Sequence, residues 1–257
     1  MPTITALEDA QTLLGELFAG TPRMTGFTGA GISTECGVPD FRSPDSPWTR
    51  HTPIDFAAFL SCPTIRAEAW RRKFAIDDMH EGAKPGRGHR ALAALVASGA
   101  MQAVITQNID GLHQASGLDG DQVIELHGNG TYAACLGCRR RYDLAEIRQR
   151  FMASGLAPDC PCGAPIKSAT ISFGQAMPRE ALRRAHQAAR DCELFLAIGS
   201  SLVVHPAATL PVLAKEQGAI LVIINREPTP VDPLADFTLR GDIGDILAPF
   251  AEALPTL

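Results

Sequence analysis

The chain has no unbroken run of the roughly eighteen apolar residues that a membrane-spanning helix needs, which excludes a helical membrane protein. It also has no excess of basic charge. Its 23 Lys and Arg residues stand against 28 Asp and Glu, for a net charge of -5. Such a chain has no general pull toward nucleic acid, although it can attract a basic peptide. Internal repeats and low-complexity tracts are absent, which excludes solenoids and fibrous assemblies. The opening MPTITALEDAQ has no basic segment followed by an apolar one, so a secretory signal is not expected and a cytoplasmic location is. Seven cysteines, an odd number without a signal, argue against a disulfide framework.

What is present is ordinary for a globular protein: 46% hydrophobic and 20% charged residues over 257 positions. That length suits one large core, or one full domain with a small companion. Apolar spacing predicts a helix over 4–18, a strand over 23–27 weakened by Gly26, a helix over 89–97, and strands over 102–106 and 122–126. Beyond residue 178 come a helix over 179–190, a strand over 194–198, a helix over 207–216, strands over 219–224 and 237–239, and a closing helix over 246–253. Strands that are apolar on both faces and alternate with helices predict a parallel sheet covered on both sides. The stretch 43–85 reads as helical segments with loops. Four of the cysteines gather in 131–172 and interrupt the alternation. The expected fold is therefore α/β, a Rossmann-like parallel sheet with helices on both faces plus a small zinc-ribbon and helical domain. The large domain takes residues 1–42, 86–130 and 173–257, and the small one takes 43–85 and 131–172.

Gly29-Ala30-Gly31-Ile32-Ser33 follows the first long strand. A turn of this kind lets backbone approach a pyrophosphate, and the helix start that follows offers N–H groups to the anion. Thr34 stands where a third glycine would complete G-x-G-x-x-G, so by itself the turn fits any α/β protein. Gly37-Val38-Pro39-Asp40-Phe41-Arg42 follows at once and sets a carboxylate, an aromatic and a guanidinium beside the turn.

Taken with further blocks in order, the sequence resembles the sirtuin family of NAD-dependent protein deacylases, of the bacterial type. Those blocks are Thr106-Gln107-Asn108-Ile109-Asp110, His127-Gly128, the four cysteines, Phe173-Gly174, Gly199-Ser200-Ser201 running on to Ala207, and Ile224-Asn225. The resemblance implies removal of acyl groups from lysine, with transfer to ADP-ribose and release of nicotinamide. Acylated-lysine proteins or peptides would be the partners, with no direct nucleic acid and no membrane. NAD would lie against Gly29, Ala30, Gly31, Ser33, Val38, Asp40, Phe41, Arg42, Gln107, Asn108, Ile109, Asp110, Gly199, Ser200, Ser201, Asn225, Arg226, Glu227 and Ile243. It implies that Asn108 contacts the nicotinamide ribose, that Asp110 accepts from the nicotinamide amide, and that Phe41 shields the reactive centre from water. From residue type alone, Asn108 or Asp110 would as readily cap a helix. His127 would be the general base, a role suited to a group that titrates near neutrality. In this reading it takes a proton from a ribose hydroxyl after the acyl oxygen has displaced nicotinamide. The other six histidines are read as structural or surface groups. Phe173 and Gly174 on one side, with Val203 and Val204 on the other, would receive the peptide as an added strand. Ser200 and Gln175 stand where the family commonly has Thr and Glu.

Cys135-x2-Cys138 and Cys160-x-Cys162 resemble a zinc ribbon, and four thiolates leave a tetrahedral Zn²⁺ no open position, so the metal would be structural. The family usually has two residues between the second pair; Pro161 alone stands there, leaving a degenerate site as the alternative. Family members that take malonyl or succinyl groups carry a Tyr-x-x-Arg pair in the helical segment. Here that segment has Arg71 and Arg72 but no tyrosine, so a neutral acyl group is expected. Mono-ADP-ribosyl transfer to protein is the main competing activity, followed by NAD binding without turnover and by hydride transfer.

Overall fold

Strands apolar on both faces are stable only where both faces are covered, and the main sheet is built that way. The computed structural model describes residues 2–40 and 52–251; Phe41 and Arg42 lie outside the described residues. In chain order come β1 (Thr3–Ile4), α1 (Leu7–Gly20) and β2 (Met24–Thr28), then a 3-10 helix (Ala30–Cys36), α2 (Phe56–Ser61), α3 (Pro63–Met79) and α4 (Arg87–Ala97). Next are β3 (Met101–Thr106), α5 (Leu112–Ala115), β4 (Val123–Glu125), β5 (Gly128–Cys135), β6 (Arg141–Asp143), α6 (Leu144–Ser154) and β7 (Ile166–Thr170). The chain closes with α7 (Arg179–Asp191), β8 (Leu194–Ile198), α8 (Thr209–Glu216), β9 (Ile220–Ile224), β10 (Phe237–Leu239) and α9 (Ile243–Leu247).

The main sheet has seven strands in the order β1-β10-β9-β8-β2-β3-β4. Every pairing in it is parallel. Side chains along a strand alternate between faces, and the two cores follow that alternation. Leu194, Leu196 and Ile198 of β8 join the core under α1, α4 and α9. Phe195 and Ala197 between them join the core under α7 and α8. The helix α1 buries Ala10, Leu14 and Phe18, one turn apart, and carries Glu8 and Asp9 in its first turn, where the helix dipole favours acids. Gly26 sits inside β2, and the place of its missing side chain is filled by Met101 and Leu92.

Several segments differ from the sequence expectation. The first helix begins at Leu7 and not at Ile4, because Ile4 pairs with Leu239 at the sheet edge as part of β1. The turn after β2 continues as a 3-10 helix, not an α-helix; Thr34 Oγ1 donates back to the Gly31 carbonyl at 2.9 Å and tightens the turn. Residues 207–208 lie in a turn ahead of α8, with the Ala208 N–H on the Val204 carbonyl. The closing helix begins earlier, at Ile243, because Asp242 caps it by accepting from the Asp245 N–H at 3.0 Å. It ends at Leu247 in a short 3-10 turn that contains Pro249.

The second sheet is antiparallel, in the order β6-β5-β7. Its inner face packs Ala133, Tyr142 and Ile166 against Ile147 and Phe151 of α6 and against Ala67, Trp70 and Phe74 of α3. The helical segment and the cysteine region thus share one core. Trp70 and Phe74 stack at 5.3 Å between centroids.

Candidate active site and metal centre

In an open parallel sheet, ligands bind at the carboxyl ends of the strands where the strand order reverses. Here that point lies between β2 and β8. The Gly29 N–H donates to the Ile198 carbonyl at 3.0 Å and the Gly31 N–H to the Gly199 carbonyl at 2.8 Å. A Cβ on Gly29 would lie 2.7 Å from the Gly199 oxygen, and one on Gly31 would lie 2.7 Å from the Gly199 Cα. Gly199 has φ of 63° and faces the Ile32 nitrogen. These glycines are therefore required first by the crossing of two strand-end loops. The amides of Gly29, Gly31 and Ile32 are committed to protein carbonyls, which leaves this turn fewer free donors than its sequence suggests.

Beneath the turn lies a polar network. Asn108 is buried and donates from Nδ2 to the Gly29 carbonyl at 3.1 Å and to Ser33 Oγ at 3.2 Å. Ser33, wholly buried, donates to Asp110 Oδ2 at 2.7 Å. The other oxygen of Asp110 accepts from the Leu112 N–H at 2.9 Å, so Asp110 supports the start of α5 as well as facing Ser33. His89 Nε2 lies 3.4 Å from Ser33 Oγ, and His113 Nε2 lies 2.8 Å from Thr28 Oγ1. Thr28 in turn donates to Thr106 Oγ1. Sequence reading gave His89 and His113 no part in this. The available signal was a set of polar residues (Thr28, Thr106) at the ends of otherwise apolar strands. Burial pushes His113 down to about 3 and His89 below its ordinary value, so both are neutral at pH 7.

His127 sits between β4 and β5, two residues past the strand that was expected to end on it. Its backbone carbonyl accepts from the Ile171 N–H at 2.7 Å, and the Leu126 N–H bonds the Thr106 carbonyl. The residue is thus held where the two sheets meet. Gly128 follows with φ of 72°, and a Cβ there would lie 2.1 Å from the Ala169 oxygen. His127 Nδ1 lies 3.0 Å from the Gln107 carbonyl. A carbonyl only accepts, so Nδ1 carries the proton and Nε2 keeps its lone pair. Burial lowers the His127 pKa, partly offset by that carbonyl, so the base is neutral at pH 7. Gln107 also donates from Nε2 to Ser200 Oγ at 2.8 Å, joining two of the sequence blocks.

A cavity of about 150 Å³ opens beside Gly31 and is lined by Asp40, Asn225, Arg226, Glu227 and Ile243. Its wall adds Glu35 and Asp242, which the sequence did not single out. Arg87 ties Glu35 to Asp245 and Asp242. Asn225 is turned back on the chain by donating to the Glu227 carbonyl at 2.7 Å.

Phe173 and Val203 are among the few exposed large apolar side chains, at 64% and 44%. Gly174 has φ of 77°, and a Cβ there would strike Asp55, the cap of α2. The Phe173 carbonyl accepts from the Phe56 N–H at 2.9 Å, which fixes this edge. Arg71 and Arg72 both pair with Glu68 on their own helix.

The sulfurs of Cys135, Cys138, Cys160 and Cys162 all lie within 4.8 Å of one another. Cys135 and Cys162 are 3.4 Å apart, and Cys138 and Cys160 are 3.6 Å apart. Zinc–sulfur bonds of about 2.3 Å at tetrahedral angles need separations of this size. The single-residue gap is accommodated by a tight turn in which the Gly163 N–H bonds the Cys160 carbonyl at 2.8 Å. The Gly137 and Cys138 amides donate to the Cys135 sulfur, and Tyr142 Oη donates to the Cys160 sulfur, as thiolate ligands require. The donor set fits a closed structural zinc site.

A parallel sheet with this switch point, a buried Asn–Ser–Asp network beneath it and a four-cysteine ribbon describe an α/β protein with a ligand site at its strand ends and a structural metal lobe. The Sir2 family model matches residues 29–206, and the chain belongs to that family. It is 57% identical over 238 residues to NAD-dependent protein deacetylase 1 of Bradyrhizobium diazoefficiens, covering 92% of this chain and 93% of that one. It is 56% identical to the NAD-dependent protein deacetylase of Rhodopseudomonas palustris, covering 92% and 94%. A solved Sir2 variant holding a deacetylated peptide and 3′-O-acetyl ADP-ribose superposes with a TM-score of 0.82 at 33% identity, covering 95% and 96%. Among the described residues no helix is long and apolar enough to cross a membrane.

Proposed function

We infer that this chain is an NAD-dependent protein lysine deacylase that returns free lysine, nicotinamide and O-acyl-ADP-ribose. The observation that carries the residue assignment is His127, held at the junction of the two sheets with its Nδ1 proton on the Gln107 carbonyl. That bond leaves Nε2 as a neutral acceptor for a ribose hydroxyl proton. Bound NAD supplies the electrophilic ribose carbon. Asn108 and Asp110, braced through Ser33, orient the nicotinamide end. The adenosine end is assigned to the cavity of Asn225, Arg226, Glu227 and Ile243. The acylated peptide is assigned to the slot between Phe173-Gly174 and Val203-Val204, whose exposed apolar side chains suit an added strand. Zinc on the four cysteines fixes the small lobe and takes no part in proton transfer.

A neutral acyl group is supported by the absence of a tyrosine from this helical segment; Arg71 and Arg72 share the single carboxylate of Glu68. The domain division at residues 42/43, 85/86, 130/131 and 172/173 belongs to this proposal. The test is incubation of an acetyl-lysine peptide with NAD, followed by mass spectrometry. Deacetylated peptide and O-acetyl-ADP-ribose are expected in equal amounts. ADP-ribose attached to protein, with the acetyl group intact, would replace this reading with the transferase.

A further inference from the structure

The outer face of the small sheet carries a second cavity that the reaction above does not use. It measures about 390 Å³, and its lining includes Tyr132, Ala134, Arg139, Arg141, Lys167 and Gln175. The strand register explains the grouping. Ala134 of β5 is paired with Arg141 of β6 on one side and with Lys167 of β7 on the other. Directly paired residues share a face, so two cations flank one small side chain.

Among the described residues no ion pair holds Arg139, Arg141 or Lys167; Asp143, paired with Tyr132 on the same face, is committed to the Ala145 N–H as the cap of α6. Lys167 is 5% exposed, yet among the described residues its Nζ donates only to the Ser168 and Thr170 carbonyls, at 3.3 and 2.6 Å, and lies 6.0 Å from the Phe59 ring centroid. Burial alone pulls its pKa down to about 8. A buried ammonium without an anion is costly, and a carboxylate brought to it would be bound. Arg141 Cζ lies over the Tyr132 ring, 3.5 Å from its centroid, which holds the guanidinium at this face. Arg139 is one of two non-glycine residues with positive φ among the described residues, at 63°. Glu125, which feels the Arg141 charge, is already held by Gln114 and Asn129. Among the described residues no carboxylate lines the cavity.

The cavity reaches Thr170 and Gln175, the two ends of the segment that carries the Phe173 edge. We propose that it receives an acidic side chain of the acylated protein substrate, a Glu or Asp within a few residues of the modified lysine. Although the whole chain carries a charge of -5, this patch selects for acid beside the acyl-lysine. The inference rests on the peptide slot assigned above.

The experiment measures Kd by fluorescence anisotropy for acetyl-lysine peptides carrying Glu or Gln at each flanking position. The wild-type chain is compared with Arg139→Gln/Arg141→Gln and with Arg139→Gln alone, and both arginines are exposed. At one position or more, the Glu peptide should bind the wild type about tenfold more tightly, the scale of a charge-assisted contact. The ratio should fall below about twofold in the double variant. Equal Kd values at every position in the wild type, or a preference that survives in the double variant, would overturn the inference. Turnover of the same peptides with NAD reads the deacylase assignment separately. A Glu preference without any turnover would leave the pocket standing and overturn the deacylase reading.

Discussion

Ser33→Ala tests the network that the site is built on. Ser33 Oγ accepts from Asn108, donates to Asp110 and neighbours His89, all with the serine wholly buried. Alanine fits the space, so the effect isolates the hydroxyl. A hydrogen bond to a charged group contributes about 1.5–3 kcal/mol, and a stranded buried amide N–H costs about 1–3 kcal/mol. Asp110 is half-buried and can recruit water, which places the expected loss near the lower end, about 2 kcal/mol. For a chain of this length that corresponds to a fall in Tm of roughly 4–8 °C. Thermal unfolding by circular dichroism reads it, and Ser33→Ala combined with Asp110→Ala should show coupling of about 1 kcal/mol. The KM for NAD should rise in the single variant, because Asn108 and Asp110 lose their common brace. A melting point within about 1 °C of the wild type, together with zero coupling, would refute the network as a structural unit.

Other outcomes follow from the same geometry. The His127 pKa lies below its ordinary value, so kcat/KM should stay level as pH falls from 7.5 toward 6.5 and drop only below that; an acid limb centred above 6.5 would contradict the assignment. Burial also holds His113 neutral down to about 3. Between pH 6.5 and 3 the unfolded chain therefore binds a proton the folded chain does not, and the Tm should fall as pH is lowered from 7 to 5. One zinc per chain is expected by atomic absorption, and chelation should abolish the near-ultraviolet signal of Tyr132, Tyr142 and Trp70 while the main sheet persists in the far-ultraviolet. The cavity assigned to the adenosine end carries Glu35, Asp40, Glu227 and Asp242 against Arg226, with Arg87 bound to Glu35 and Asp242. Acids outnumber arginines there, so a 2′-phosphate meets net like charge and kcat/KM with NADP should be on the order of tenfold below that with NAD.

The parallel sheet was legible because fully buried strands read as continuous apolar runs. Leu194–Ile198 and Phe237–Leu239 have the bounds that their sequences suggest. The β5–β7 ladder was not legible, since its residues are small, polar or glycine and the order comes from the ribbon's fold. The four cysteines announced their convergence by spacing, and only the turn at Cys160–Gly163 shows how a one-residue gap allows it. Gly29 and Gly31 were visible as a ligand turn, but their close fit to Gly199 depends on a contact far along the chain. His89 and His113 were unreadable for the same reason: a histidine's burial and partners are set by tertiary contacts. Phe41 and Arg42 lie outside the described residues.

The central claim is that His127 acts as the base after nicotinamide has left. The most direct measurement compares His127→Ala with wild type in two assays on one acetyl-lysine peptide: loss of the acetyl group, and exchange of labelled nicotinamide into NAD. Deacetylation should fall by at least about 10²-fold while exchange persists, since exchange precedes the step that needs the base. Deacetylation retained within a few-fold of wild type, or loss of both activities in a variant that is folded and binds NAD, would contradict the account.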